Sequence, residues 1–330
     1  MRKFLEAREG QLIVTIGVMV LLITLRAPIF LSGGSLDTLL TDSAILAMMA
    51  TAQMLAIMTR GIDLSVAANI ALTGMATALL SRAFPGMPVA ETLAVALGLG
   101  LILGAINGSL IAYVGIPPLV VTLGTMSIFR GSVFFLSHGQ WVNAQDFAPQ
   151  FLAFPMGRLL GVTNIVWIAA LVLACAAIFL GYFQKGRELY ALGGNPVAAR
   201  YVGISRTRNE MFVYCVIGVI AGLCGYLWVA RYAVAYTEVA MGFELQTVAA
   251  CVIGGVSMAG GTGRVGGCLL GAAFLVIIFN ALPIINVSPF WQMAISGLVI
   301  LAAVLLNTGG GAKTKLILKN AQLGAARAAP

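Results

Sequence analysis

Charged side chains divide this chain into long apolar runs. None lies between Glu91 and Arg130, and none between Arg264 and Lys313. Each of these stretches can hold two helices of about 20 residues, the length that crosses roughly 30 Å of hydrocarbon, joined by a tight turn. The same pattern along the whole chain predicts ten helices, at residues 11–30, 41–59, 63–81, 90–113, 118–137, 163–183, 210–230, 245–260, 264–282 and 290–307. Turn signals separate them: Gly33-Gly34, Arg60-Gly61, Pro85-Gly86-Met87-Pro88, Gly115-Ile116-Pro117-Pro118, and Pro283 to Pro289.

The expected fold class is therefore all-α: a polytopic bundle of about ten transmembrane helices whose solvent is the lipid bilayer. Residues 1–10 form an N-terminal segment and 11–307 a single membrane domain. A Gly-, Ala- and Lys-rich tail follows at 308–330, with the composition of a disordered segment. The chain is 60% hydrophobic and 9% charged, whereas soluble domains carry about 25% charged residues. The net charge of +8 forms no single patch, which argues against nucleic acid as a partner. Basic residues sit at the ends of apolar runs and set orientation instead. With the N-terminus in the cytoplasm, 14 of the 19 Lys and Arg fall on the cytoplasmic side, against five (Arg26, Arg82, Arg130, Arg158, Arg231) on the opposite side or inside spans. Ten spans return the C-terminus to the cytoplasm. No small-x-small site follows the first apolar run, where Arg26-Ala27-Pro28 stands, so the reading is an uncleaved first span.

The five cysteines lie inside apolar runs without a C-x-x-C pair, which predicts buried free thiols and neither a disulfide framework nor a metal site. Glycines recur at four-residue spacing, Gly100-Gly104-Gly108 and Gly263-Gly267-Gly271. Such stripes let helices approach closely in lipid, where packing drives association.

One segment does not read as membrane. Residues 185–209, KGRELYALGGNPVAARYVGISRTRN, carry a short helix with signals at both ends. Gly193-Gly194 is expected to turn, Asn195 to cap, and Pro196 to occupy the first helical position. Gly203 is expected to end the helix in a left-handed conformation. Val197 and Tyr201 then share one face, Ala198 and Val202 the next. Ala198 and Ala199 are small enough to enter a partner groove. The element reads either as a surface linker or, being capped at both ends, as a rigid lever between two spans.

The string GRELYALGGNPVAARYVGI resembles the coupling-helix loop of sugar-type ABC importer permeases, the ribose, arabinose, rhamnose and autoinducer group. GIDLSVAANIALTGM (Gly61 to Met75), VTLGTMSIFRG (Val121 to Gly131) and VAACVIGGVSMAGGTGRVGGCLLGA (Val248 to Ala272) resemble further segments of that group in the same order. The likeness runs from about residue 10 to 307. It departs at Ala67, where glycine usually follows DLSV, and at Arg264, where the group often has a small residue or threonine. ARYAVAY (Ala230 to Tyr236) and INVSPFWQMAISG (Ile285 to Gly297) look most like rhamnose-type permeases. The resemblance implies a non-catalytic subunit that pairs with a second permease copy or a homologous permease in the bacterial inner membrane. A cytoplasmic ABC ATPase would work it, and a periplasmic binding protein would deliver a monosaccharide. It further implies that Gly186, Arg187, Glu188, Gly193, Asn195, Pro196, Ala198, Ala199, Tyr201 and Gly203 couple the chain to that ATPase during alternating access.

The residues agree that ATP chemistry lies elsewhere. Gly309 to Thr314 lacks the glycine that directly precedes the lysine of a phosphate loop. Gly261-x-Gly263-x-x-Gly266 matches a dinucleotide pattern but lies between apolar spans, so no cofactor is expected. An ion-coupled carrier is the alternative, though it would place more ionisable residues deep in the bundle. A scaffold or receptor would bring a large soluble domain.

Polar residues near or inside spans are the candidate pathway: Gln53, Asp63, Ser65, Asn69, Asn107, Thr122 and Asn280, with Ser127 and Gln246 as further possibilities. Each reads equally as a helix-to-helix hydrogen bond. Asp63 is either an N-cap of the third helix or an intramembrane charge that needs a partner. Arg130 either snorkels outward or pairs with Glu238 or Glu244. The loop 138–164, with Trp141, Phe147, Phe151 and Phe154, reads as an aromatic belt or as a docking surface for the binding protein. No strong sugar site is expected in the chain, because the resemblance places selectivity in the binding protein.

Overall fold

The charge-free run after Glu91 closes into a helical hairpin for a local reason. Gly115 turns the chain at φ +82°, and Pro118 opens the next helix at its first position, where a missing N–H costs nothing. The computed structural model describes residues 8–284 and, beyond them, residues 288, 291, 294, 295, 297, 298 and 301. The predicted span 290–307, the tail 308–330 and the first seven residues lie mostly or wholly outside the described residues. Among the described residues, eight helices are long and apolar enough to cross a membrane: α1 (Arg8–Arg26), α2 (Gly33–Met58), α3 (Val66–Ala83), α4 (Val89–Ala112), α5 (Pro118–Ser137), α7 (Asn164–Tyr182), α10 (Arg206–Tyr232) and α12 (Val265–Ile284). Between them lie α6 (Pro149–Met156), a hairpin of two-residue strands, β1 (Arg158–Leu159) and β2 (Val162–Thr163), and the short helices α8 (Gln184–Gly194), α9 (Pro196–Tyr201) and α11 (Phe243–Ile253).

α2 is the axis of the bundle. Ser32 caps its start, and every residue from Ala44 to Met58 is buried. A helix that is apolar all round belongs inside a bundle. By contrast α1, α5 and α7 turn Leu22, Leu25, Phe135 and Leu171 outward, the face that a bilayer covers.

Both glycine stripes are close-packing seams. A Cβ at Gly100 would meet the Gly222 backbone of α10, with Cα at 2.8 Å, and one at Gly104 would meet Gly218 Cα at 2.9 Å. Gly267 and Gly271 of α12 lie against Gly254 and Ala250 in the same way. Cys224, Cys251 and Cys268 are buried free thiols as predicted, while Cys175 lies on an exposed helix face.

The prediction fails at 245–260, which is not a spanning helix. α11 has 11 residues, about 16 Å of rise and half a bilayer. Gly255, Gly260 and Gly261 then take positive φ, and the chain continues as a loop to Arg264. Phe243 packs edge-on against Trp228 near the end of α10. The Gly261 N–H donates to the Met58 carbonyl at 3.0 Å, at the opposite end of the bundle. Half helix and loop together therefore traverse it.

Candidate functional site

Helices α8 and α9 replace the single short helix expected from the sequence. Gly193-Gly194 is not a turn but the last turn of α8. Gly193 is required there because a side chain would strike the Met58 carbonyl. Asn195 follows, and its side chain accepts the Ala198 N–H at 3.0 Å, with Pro196 at the first position of α9, as predicted. Gly203 at φ +81° closes α9, its N–H donating to the Arg200 carbonyl and that of Ile204 to the Ala199 carbonyl.

This pair is braced to the bundle at four places. Gly186 packs on Leu180 at the end of α7, and the Arg187 guanidinium donates to the Tyr182 carbonyl at 3.0 Å. Glu188 accepts from Lys185 and from Asn209 of α10, each at 3.2 Å. The Asn209 bond is the largest of the causes that hold its carboxyl below the usual range. The Tyr190 hydroxyl donates to the Gly263 carbonyl at 2.8 Å, in the loop after α11. Arg60, just past α2, donates from Nε to the Gly193 carbonyl at 2.8 Å and from Nη2 to the Gly194 carbonyl at 3.2 Å. These carbonyls end α8 and have no intrahelical donor, so a cation there meets both their hydrogen-bonding need and the helix dipole.

Arg60 is also conformationally unusual. It stands at φ +67°, in the left-handed position after a helix that normally selects glycine. The Arg60 and Gly61 N–H groups donate back to the Ile57 and Ala56 carbonyls, which closes α2. The left-handed backbone costs an L-residue roughly 1–2 kcal/mol, and the paired contacts to α8 account for a side chain there.

The outward face of α9 is Val197, Ala198, Tyr201 and Val202, with Tyr201 88% exposed. An open groove of about 920 Å³ runs beside it, lined by Leu192, Pro196, Arg200 and Arg206. Ala199 does not belong to this face. It is buried within the chain, so only Ala198 of the alanine pair can meet a partner.

Five of the seven candidate pathway residues, Gln53, Asp63, Ser65, Asn107 and Thr122, converge on the turn between α2 and α3, and all five are buried. Asp63 is buried and is not the N-cap, a position held by Ser65. Its Oδ1 accepts the Ser65 N–H at 2.8 Å and the Ser65 hydroxyl at 2.6 Å. Asn107 of α4 donates to that hydroxyl at 2.7 Å. The Gln53 amide, oriented so that both ends are satisfied, pairs with the Asp63 backbone N–H and carbonyl at 3.1 Å each. Thr122 of α5 donates to the Ile62 carbonyl at 3.2 Å. Burial pushes the Asp63 carboxyl up to about 6, against the opposing Ser65 and Asn107 bonds. Asn69, one turn beyond Ser65 on α3, is buried, and its Oδ1 has no hydrogen-bond partner among the described residues.

Asn280 lies elsewhere, beside a cavity of about 340 Å³ at the far end of the bundle that it shares with Gln246, Trp228 and Asp42. Asp42 had no place in the sequence reading, and Arg231, whose Nε lies 3.6 Å from Asp42 Oδ1, entered it only as one of the five basic residues off the cytoplasmic side. An acidic residue inside the apolar run before Arg60, five residues after Asp37, was the available signal. Arg130 pairs with neither glutamate. Its guanidinium donates to the Thr237 and Val239 carbonyls at 2.9 Å each. In the aromatic loop, Phe147 and Phe151 are buried, Phe151 edge-on to Tyr226, which leaves Trp141 and Phe154 exposed.

A bundle of membrane-length helices with a braced helix pair at one end has the build of a multi-pass membrane permease. The family model described as branched-chain amino acid transport system, permease component, matches residues 35–304, and the chain belongs to that family. The Escherichia coli ribose import permease protein RbsC is 36% identical over 303 residues, covering 91% of this chain and 93% of the relative. A probable ABC transporter permease protein, y4mJ of Sinorhizobium fredii, is 35% identical, covering 88% and 86%. The autoinducer 2 import system permease protein LsrC of an Enterobacter is 30% identical, covering 93% and 88%. These relatives bear out the sugar-type permease resemblance; none of the three is named for rhamnose. No solved structure matches the chain significantly.

Proposed function

We propose that this chain is the membrane subunit of a binding-protein-dependent ABC importer that carries a monosaccharide into the cytoplasm by ATP-driven alternating access. The α8–α9 pair carries this reading. Its outer face offers Val197, Ala198, Tyr201 and Val202 to a partner, while its inner face is tied to α2 through Arg60 and to the loop after α11 through Tyr190. A push on α9 therefore reaches the central helix and the discontinuous crossing together. Basic residues Arg60, Lys185, Arg187, Arg200, Arg206 and Arg208 cluster at this end, which favours the cytoplasm for it, where an ATPase would sit. The sugar class is supported by the ribose and autoinducer 2 relatives. Rhamnose remains the first candidate from the sequence likeness alone.

The test is purification of the full chain with its companions in mild detergent. An ATPase chain and a periplasmic sugar-binding protein are expected. Ala198→Trp, on the exposed face, should leave the chain inserted and lose the ATPase. Uptake that follows an ion gradient in the absence of ATP would overturn the reading.

A further inference from the structure

The cavity at the far end has the chemistry of a carbohydrate site. Asp42 lies nine residues into α2, about 13 Å along the helix, well inside the bundle. Its Oδ1 faces Arg231 Nε at 3.6 Å and accepts the Tyr232 hydroxyl at 3.3 Å. The Asn280 amide of α12 borders the same cavity beside this carboxylate, with its Nδ2 donating to the Val276 carbonyl at 3.1 Å. Trp228 lines the same space one turn from Tyr232, their rings 5.5 Å apart and tilted by 49°. Gln246 comes from the half helix α11. Among the described residues neither the Gln246 amide nor the Trp228 indole N–H has a hydrogen-bond partner.

A pyranose or furanose ring presents C–H faces and a rim of hydroxyls. Each hydroxyl both donates and accepts, so a fitting site mixes the two capacities. Asp42 accepts, the Trp228 N–H donates, and the Asn280 and Gln246 amides do both. The two aromatic rings supply an apolar wall with polar handles. At about 340 Å³ the space falls at the small end of ligand pockets, which run to about 1,000 Å³, and suits one small ring. A cation site is disfavoured because Arg231 already faces the carboxylate. Contribution by a discontinuous helix matches the way transporters place substrate groups inside the membrane.

We propose that Asp42, Trp228, Tyr232, Gln246 and Asn280 form a low-affinity monosaccharide site within this chain, reached from the end opposite the α8–α9 pair. The proposal rests on the sugar-importer reading and adds the place where this subunit meets its substrate. It agrees with the sequence expectation that no strong sugar site lies in the chain, and gives a weak one a place and a set of residues.

The test is equilibrium binding of tritiated D-ribose and L-rhamnose to the full purified chain in lipid nanodiscs, without binding protein. Saturable binding of at least one sugar is expected, with quenching of tryptophan fluorescence that is lost in Trp228→Phe. The Gln246→Ala/Asn280→Ala double variant should bind at least tenfold more weakly while purifying as the same monodisperse species. No saturable binding by the parent chain, or equal binding by the double variant, overturns the site. Copurification of an ATPase and a sugar-binding protein with the parent chain is scored separately, so the cavity can fail while the importer reading stands.

Discussion

Two aspartates enter the interior of this bundle, and their surroundings differ. Asp63, at the end that carries α8 and α9, is 2% exposed and lies among groups that bond one another: Ser65, Asn107 and Gln53. Asp42, toward the other end, meets an arginine, a tyrosine and an asparagine beside open volume, with an unbonded amide and indole nearby. Polar groups in a membrane bundle must be satisfied internally or face a cavity. The Asp63 cluster is sealed from solvent and bonded internally except at the buried Asn107 Oδ1, whereas the groups around Asp42 border a cavity that a ligand can enter. On this basis the pathway residues near Asp63 are scaffold and the substrate-facing chemistry lies around Asp42.

The contrast can be broken first at Ser65. Ser65→Ala takes a donor from Asp63 and the acceptor from Asn107, both buried. The expected cost is roughly 2–4 kcal/mol, read as a lower melting temperature in detergent with or without sugar. A melt unchanged from the parent would remove the bracing role.

A second break uses pH. The folded Asp63 carboxyl titrates at about 6 against 3.8 for the free group, so the folded state holds the proton more tightly. Its favourable contribution is complete below about 4 and is lost as pH rises through about 6, a change of up to about 3 kcal/mol. Asp63→Asn should flatten that part of the stability profile between pH 4 and 7. An identical pH slope in the variant would place the titration elsewhere.

The smallest effect belongs to the far cavity. Gln246 is partly exposed and makes no side-chain bond among the described residues, so Gln246→Ala should shift stability by no more than about 0.5 kcal/mol. A shift as large as that of Ser65→Ala would make the two clusters alike and remove the contrast.

Some of this was legible in the sequence. Asn195-Pro196 and Gly203 mark the ends of α9 because capping is local chemistry, and the glycine stripes mark the α4–α10 and α11–α12 seams because close approach tolerates no side chain. The half helix was not legible. Residues 245–260 are apolar enough for a span, and only the positive φ at Gly255, Gly260 and Gly261, the last two packed against Met58 and Gly193, shows where helix ends. The bond from Arg60 to Gly193 and the ion pair of Asp42 with Arg231 join residues 133 and 189 positions apart. Periodicity and local motifs carry no information at that separation. The same limit hid the burial of Ala199, which is set by tertiary packing rather than by the two-turn helix that contains it.

The most direct test of coupling through α8 and α9 is Arg60→Gly in the assembled importer. Glycine relieves the left-handed backbone at this position while the two bonds to Gly193 and Gly194 are lost, so stability should stay within about 1 kcal/mol of the parent. Sugar-stimulated ATP hydrolysis and uptake should nevertheless fall at least tenfold. A folded Arg60→Gly complex that transports and hydrolyses ATP like the parent would contradict the account.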